Sequence, residues 1–202
     1  MQQHYERKFN EHGATPLGVD WGCEESAHLR YKNMLALLPE ESTQENPVTL
    51  LDVGCGYGGL YQFSQSEKRN IAYTGLDICG DMIAFAQKNY PNATFQQMDF
   101  FNLPSTETYD YVLCNGILTQ KLTATIREMD IFANQLIKKM FQNARRGIAF
   151  NLMSTRVNFM VDNLYYRNPI ELFAYCFTEL SPKIKLDHAY PLYEYTIYLY
   201  HE

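Results

Sequence analysis

Between Thr49 and Asp77 the chain carries the residues best suited to chemistry. A short apolar run, Thr49-Leu50-Leu51-Asp52-Val53, leads straight into Gly54-Cys55-Gly56-Tyr57-Gly58-Gly59, and the next apolar run, Ile71 to Leu76, closes on Asp77. Glycines lack the side chains that would hold a ligand away, and they permit positive φ, so backbone N–H groups of such a loop can approach a polar ligand. A carboxylate ending the following strand can accept both hydroxyls of a ribose. Alone, the glycines would fit a tight turn. With Asp77 they spell a site for an adenosine-bearing cofactor.

Other reactive side chains group more loosely. Tyr5, Phe9 and Trp21 near the N-terminus, and Phe159, Tyr165 and Tyr166 late in the chain, are aromatic residues that could border an acceptor. Asp20, Glu24, Glu25 and Asp162 lie in the same two segments and would suit a cationic acceptor through charge pairing. Glu24 and Glu25 also fit a helix's first turn, where the dipole favours carboxylates without any ligand. Arg30 is the candidate cation for a cofactor carboxylate. Tyr5 and its neighbour His4 are the candidate proton acceptors. Five cysteines (Cys23, Cys55, Cys79, Cys114, Cys176) show no C-x-x-C, and the five histidines lack ligand spacing, so no metal is expected.

The elements that must position these residues alternate. Strands are expected at Thr49–Val53, Ile71–Leu76, Thr94–Gln97, Tyr109–Cys114 and Gly147–Leu152, with helical patterns between them, which implies a mostly parallel sheet. Ala27, Tyr31, Met34, Leu35 and Leu38 share one helical face, and so do Ile126, Met129, Ala133, Leu136, Ile137 and Met140. Two last strands, Lys183–Asp187 and Tyr193–Tyr200, are linked too briefly for a parallel crossover. The expected fold is therefore α/β and doubly wound, a Rossmann-like seven-stranded sheet with helices on both faces, mostly parallel with an antiparallel C-terminal strand. A preface (1–38, lid and helix) precedes the 49–202 core, and an irregular 153–169 stretch covers it.

At 202 residues, 46% of them apolar, the chain suits one domain with a substantial core. A formal charge of -6, without a basic cluster beyond Lys138-Lys139 and Arg145-Arg146, argues against a nucleic-acid partner. The polar first residues exclude a signal peptide and no apolar run is long enough for a bilayer, so a cytoplasmic protein is expected, as monomer or homodimer.

The sequence resembles the class I S-adenosylmethionine-dependent methyltransferases. Leu51-Asp52-Val53-Gly54-Cys55-Gly56-Tyr57-Gly58 has the form of their first motif, with its acid two places before the first glycine. Gly75-Leu76-Asp77-Ile78, Gln97-Met98-Asp99-Phe100 and Tyr109 through Gly116 follow in the family's order. The resemblance implies that Gly54, Cys55, Gly56 and the Asn115 backbone hold the methionine part of S-adenosylmethionine, Asp77 the ribose, and Ile78, Asp99 and Phe100 the adenine. Asp52 would act on the ammonium through the loop or a water; Trp21 and Arg30, read from their place in the preface and its helix, are further candidates for the cofactor site.

By the same resemblance S-adenosylhomocysteine is the product; Tyr165, Tyr166, Phe159 and Glu24, by their place in the two segments outside the core pattern, are candidates to contact a small-molecule acceptor. The preface and the ending Tyr190 to Tyr195 look like a group of small bacterial methyltransferases associated with specialised-metabolite or sugar pathways. Asn115-Gly116-Ile117-Leu118 lacks the Pro-Pro of enzymes that methylate planar nitrogens of DNA or glutamine, and Phe150-Asn151-Leu152 lacks the acid of magnesium-dependent catechol enzymes. Two competing readings keep the fold: a nicotinamide-dependent oxidoreductase, disfavoured by Asp52 and by the lack of a Tyr-x-x-x-Lys pair, and a catalytically inactive binding partner.

Overall fold

The computed structural model describes residues 1–39 and 47–201. They pack as two compact units, Met1–Pro104 and Ser105–Glu202.

The first unit contains β1 (Val48–Val53), β2 (Ile71–Asp77) and β3 (Thr94–Gln97), parallel and ordered β3-β2-β1. Leu50, Leu51, Val53 and Leu76 are buried because both faces of these strands are covered, which is why the runs read as continuously apolar rather than alternating. The helix α4 (Gly80–Asn89) packs on β2 and β3 through Met82, Ile83 and Ala86. The helix α2 (Glu24–Leu35) packs against α3 (Gly59–Ser66), with the Tyr31 and Phe63 rings 5.7 Å apart. Tyr61, Tyr73, Tyr90 and Phe95 close one side of the core as a tilted and edge-on ring cluster.

The preface differs from expectation: it opens on a helix, α1 (Gln2–His12), followed by a 3₁₀ turn at Pro16–Val19. No residue of α1 is buried, so it lacks the apolar stripe by which a helix shows itself in sequence. Polar contacts hold it instead. Asp20 accepts from Lys8 Nζ at 2.9 Å and pairs with His4 Nε2 at 2.7 Å. One apolar contact sets Phe9 edge-on to Phe85 of α4 at 6.0 Å. Gly18 is needed for the turn that follows, since a Cβ there would lie 2.1 Å from the Gly13 carbonyl oxygen.

In the second unit β4 (Tyr109–Cys114) runs parallel to β5 (Ala144–Ser154). Strand β8 (Glu194–Tyr200) is antiparallel both to β5 and to β7 (Ile184–Asp187), the arrangement that the short link required. The helix α5 (Ile126–Asn143) starts at a capping box, in which the Thr125 hydroxyl accepts from Glu128 N–H while Glu128 accepts from Thr125 N–H, and it buries Met129, Ala133, Leu136, Ile137 and Met140 as expected, whereas Ile126 on the first turn is exposed. The helix α6 (Pro169–Glu179) begins at Asn168, whose side chain accepts from Ile170 and Glu171 N–H, with Pro169 at its first position.

An eighth strand, β6 (Tyr166–Arg167), lies in the stretch expected to be irregular and pairs with Met153 and Ser154 of β5. Two residues are too few to show a period-2 pattern in sequence. No helix among the described residues is long and apolar enough to cross a membrane.

Candidate cofactor and acceptor site

In the first unit the glycine loop is built by φ. Gly54 (φ 76), Gly56 (φ 56) and Gly58 (φ 86) are all left-handed, a region that a β-carbon penalises. The loop's first N–H groups are engaged by protein: Gly54 N–H and Cys55 N–H both donate to the Leu76 carbonyl, at 2.8 and 3.0 Å. Gly56 N–H donates to Asp77 Oδ2 at 2.9 Å, and Cys79 N–H donates to Asp77 Oδ1 at 2.8 Å. One backbone donor on each oxygen fixes the plane of the carboxylate and leaves lone pairs free to accept hydroxyls. Burial raises the Asp77 carboxyl above its usual range, opposed by the N–H groups of Cys79, Gly56 and Ile78.

Cys55 turns its side chain inward over Gly75, where a Cβ would stand 2.7 Å from Sγ, so only its backbone faces the loop. Burial pushes its thiol well up, and it is no nucleophile. Ile78 is half-buried at the end of β2, and its carbonyl accepts from Gln97 Nε2 at 3.2 Å. Asp99 is exposed and accepts from Phe101 N–H at 2.9 Å, capping a 3₁₀ turn, while Phe100 is buried beside it.

Asp52 is fully enclosed and accepts from the Tyr73 hydroxyl at 2.5 Å. Burial pushes its carboxyl up to about 7, against the lowering effect of the Tyr73 hydroxyl and with a further push from the Asp77 charge. Its second oxygen, Oδ1, has no hydrogen-bond partner within the protein. Sequence reasoning missed Tyr73, because its pairing with Asp52 follows from the β1–β2 register and from nothing in the spacing.

The preface covers this loop. Val19 of the 3₁₀ turn comes so close to Gly56 that a Cβ there would sit 3.3 Å from Cγ1. Arg30 lays its guanidinium over the Trp21 ring, 5.0 Å from the centroid, and Trp21 lies 5.5 Å from the Tyr31 ring. His4 is taken up by Asp20, and Tyr5 stands edge-on to His4 at 5.3 Å. Burial raises the Asp20 carboxyl, but Lys8 and His4 outweigh it and hold the group below the usual range. Glu24 is exposed on the first turn of α2.

In the second unit Asn115 follows β4 and is buried, with neither atom of its side-chain amide hydrogen-bonded to protein. Gly116 N–H donates to Asn151 Oδ1 at 2.9 Å, and Asn151 Nδ2 donates to Glu194 Oε2 at 2.7 Å. Glu194 is the acid that the Phe150-Asn151-Leu152 segment lacks in sequence: β8 supplies it, because antiparallel pairing sets Glu194 opposite Met153, one pleat beyond Asn151. Its one signal in sequence is a lone charge inside an aromatic strand.

The covering segment is stitched to the chain that follows Gly116. Lys121 and Leu122 N–H donate to the Asn163 carbonyl, and Tyr165 N–H donates to the Thr119 carbonyl. Tyr165 is fully buried with its hydroxyl 2.6 Å from Asp130 Oδ1, whereas Tyr166 and Phe159 line a cavity of about 170 Å³. Among the described residues no group of three or more His, Cys, Asp and Glu side chains could hold a metal.

A family model described as "Methyltransferase domain" matches residues 44–191, most of the chain and parts of both units. The chain belongs to that methyltransferase family, so the class expected from the four motifs holds and the oxidoreductase reading falls. A candidate methyltransferase of Mycobacterium tuberculosis, Rv1506c, is 29% identical over 155 residues, 75% of this chain and 92% of its own. Malonyl-[acyl-carrier protein] O-methyltransferase of Halalkalibacterium halodurans is 27% identical over 139 residues, 63% of this chain, and the match spans only 50% of that relative's length. Among solved structures, magnesium protoporphyrin IX methyltransferase from Synechocystis PCC 6803, with bound S-adenosylmethionine, superposes at TM-score 0.68 and 16% identity over 100% of this chain and 97% of that one. The Rossmann-like methyltransferase fold is thereby established.

Proposed function

We propose that this enzyme transfers the methyl group of S-adenosylmethionine to a nitrogen or oxygen of a small-molecule acceptor, by in-line displacement, in the biosynthesis of a specialised metabolite. The observation that carries the reading is Asp77: its carboxylate ends β2, oriented by Gly56 and Cys79 N–H, beside glycines whose left-handed backbone no side chain encumbers. Those residues fit the cofactor. Asp77 would accept the ribose hydroxyls, Phe100 and Ile78 would flank the adenine, and Gly54, Gly56 and the Asn115 backbone would receive the methionine part. Bound there, the cofactor supplies a methyl on a positively charged sulfur.

The protein's own work is then to hold an acceptor in line and to keep water out. Val19, close against Gly56 of the glycine loop, would serve that exclusion. An acceptor already deprotonated needs no base. For a hydroxyl or ammonium acceptor the two sequence candidates for a base are Tyr5 and His4, the latter with its imidazole paired to Asp20.

Isothermal titration with S-adenosylmethionine, S-adenosylhomocysteine and a nicotinamide dinucleotide tests this reading. Asp77→Ala removes hydrogen bonds to a charged acceptor worth roughly 1.5–3 kcal/mol, so both sulfur ligands should bind about 10- to 150-fold more weakly, with Asp77→Asn in between. Tight binding of the dinucleotide, with none of the sulfur ligands, would overturn the assignment.

A further inference from the structure

Two carboxyls of the first unit lie close enough to act on one another. The Asp77 charge works against ionisation of Asp52, which only the Tyr73 hydroxyl favours. The Cys55 thiol of the glycine loop and the Tyr31 hydroxyl of α2 face the same carboxyl, and its charge pushes both of them up. Tyr73, Asp77, Cys55 and Tyr31 are all neutral or acidic. The Arg30 guanidinium acts on the Tyr31 hydroxyl and is stacked on Trp21. A cation brought by a ligand would favour ionisation of both acids at once.

Tyr73 lies in the middle of β2, outside the four sequence motifs. The β1–β2 register pairs Tyr73 with Leu50 and Gly75 with Asp52, so Tyr73 and Asp52 stand on one face of the parallel pair, one pleat apart. Gly75, opposite Asp52, has no side chain to offer, and Tyr73 supplies the donor from one pleat back, 2.5 Å from Oδ2. Its ring is buried between those of Tyr61 and Phe95, at 5.1 and 5.6 Å, so packing fixes the hydroxyl. A donor fixed on Oδ2 orients the carboxylate and leaves Oδ1 as the oxygen without a hydrogen-bond partner, two residues before the first loop glycine.

We propose that Tyr73 is a positioning residue for the cofactor: by holding Oδ2 it keeps the Asp52 carboxylate set toward the ammonium of the ligand's amino-acid end, while Asp77 serves the ribose. The proposal rests on the methyltransferase reading above and deepens it, naming the group that lets the site tell an amino-acid-bearing ligand from a bare nucleoside thioether. Oδ1 is sealed from solvent, so its charge is weakly screened. Burial pushes the Asp52 carboxyl up to about 7 in the free protein. A ligand ammonium favours the ionised form, so its affinity should rise as pH climbs through about 7 and level off above. Without the Tyr73 hydroxyl, which favours ionisation, that rise should move to higher pH.

The probes are S-adenosylhomocysteine and 5′-methylthioadenosine, titrated calorimetrically into the full chain between about pH 6 and 8, a range centred on the raised carboxyl. The second ligand keeps the nucleoside and the sulfur and lacks the amino-acid end, so the ratio of the two affinities cancels the contribution of Asp77. In the unaltered protein the ratio should rise with pH. In Tyr73→Phe it should fall about fivefold or more at neutral pH, with 5′-methylthioadenosine affinity changed less than about twofold. Asp52→Asn should also lower the ratio and remove its pH dependence, and adding Tyr73→Phe to that variant should lower it no further. The double variant leaves no buried charge unpaired, so it keeps the test open if Tyr73→Phe alone fails to fold. Equal weakening of both ligands in Tyr73→Phe, an unchanged ratio, or a further loss in the double variant would overturn the proposal. Failure of S-adenosylhomocysteine to bind the unaltered protein would instead strike the cofactor reading and this proposal with it, so the two failures are distinguishable.

Discussion

Asp52 is enclosed beneath the glycine loop, and burial lifts its carboxyl from an ordinary 3.8 to about 7. The folded chain thus holds this proton more tightly than the unfolded chain does. The contribution of this one carboxyl to stability is fully present below about pH 4, is lost as pH rises from there to about 7, and changes no further beyond, with an accumulated cost on the order of 4 kcal/mol at about 1.4 kcal/mol per pH unit. Asp52→Asn keeps an acceptor for the Tyr73 hydroxyl and removes the titration, so it should stabilise the protein above pH 7 and flatten the profile. Urea melts at pH 5, 6 and 8 decide it; an unchanged slope in the variant would show that the proton resides elsewhere. Glu194 is a second buried acid. It holds the Asn151 amide that in turn accepts from Gly116 N–H. Glu194→Leu leaves a buried donor unpaired, at a cost of about 1–3 kcal/mol, and should raise the KM for S-adenosylmethionine several-fold with a smaller change in kcat. Glu194→Gln, which still accepts from Asn151, should restore the KM. A melting temperature that falls with no change in KM would make Glu194 purely structural.

Helix α1 and the 3₁₀ turn form one braced unit through Asp20, set over Gly56 by Val19 and against α4 by Phe9. A cover held by ion pairs rather than by a buried stripe can open at small cost, since partly exposed pairs are worth at most about 1 kcal/mol each. Removing residues up to Gly22 should therefore leave a folded core while turnover falls at least tenfold, and Asp20→Asn should give a smaller fall in the same direction. Circular dichroism and a labelled-methyl assay measured together test this; unchanged turnover and acceptor affinity in the truncated protein would reduce the preface to a brace. The inner strands were legible in sequence as short continuous apolar runs and the helices α2, α4 and α5 as periodic apolar faces, and the glycine loop and Asp77 were legible because φ and ribose chemistry restrict the residue types. Helix α1 and β6 were not: the first has no buried residue, and the second has two residues paired only through the β5 register. For the same reason Tyr73 and Glu194 escaped notice, since both reach their partners across a sheet.

The methyltransferase fold is shared with a structure only 16% identical in sequence, so the fold by itself does not fix the chemistry of the site. Metal dependence is one place where that can be examined across the whole chain. Enzymes that use a divalent ion in catalysis bring hard oxygen ligands together at the carboxyl ends of the strands. Among the described residues no group of three or more such side chains comes together, and Asp77 accepts from Gly56 and Cys79, Asp52 from Tyr73 and Glu194 from Asn151. To bind an ion, Glu194 would have to turn from the amide it accepts from, leaving that buried donor unpaired at about 1–3 kcal/mol. Turnover should accordingly be unchanged after dialysis against a chelator and should gain nothing from added magnesium or manganese. Activity lost in chelator and restored by magnesium would mean that Glu194 or Asp52 exchanges its hydrogen bond for a metal ligand during the reaction. Repeating the assay with Glu194→Gln, whose side chain cannot supply a charged ligand, would then identify which of the two acids binds the ion.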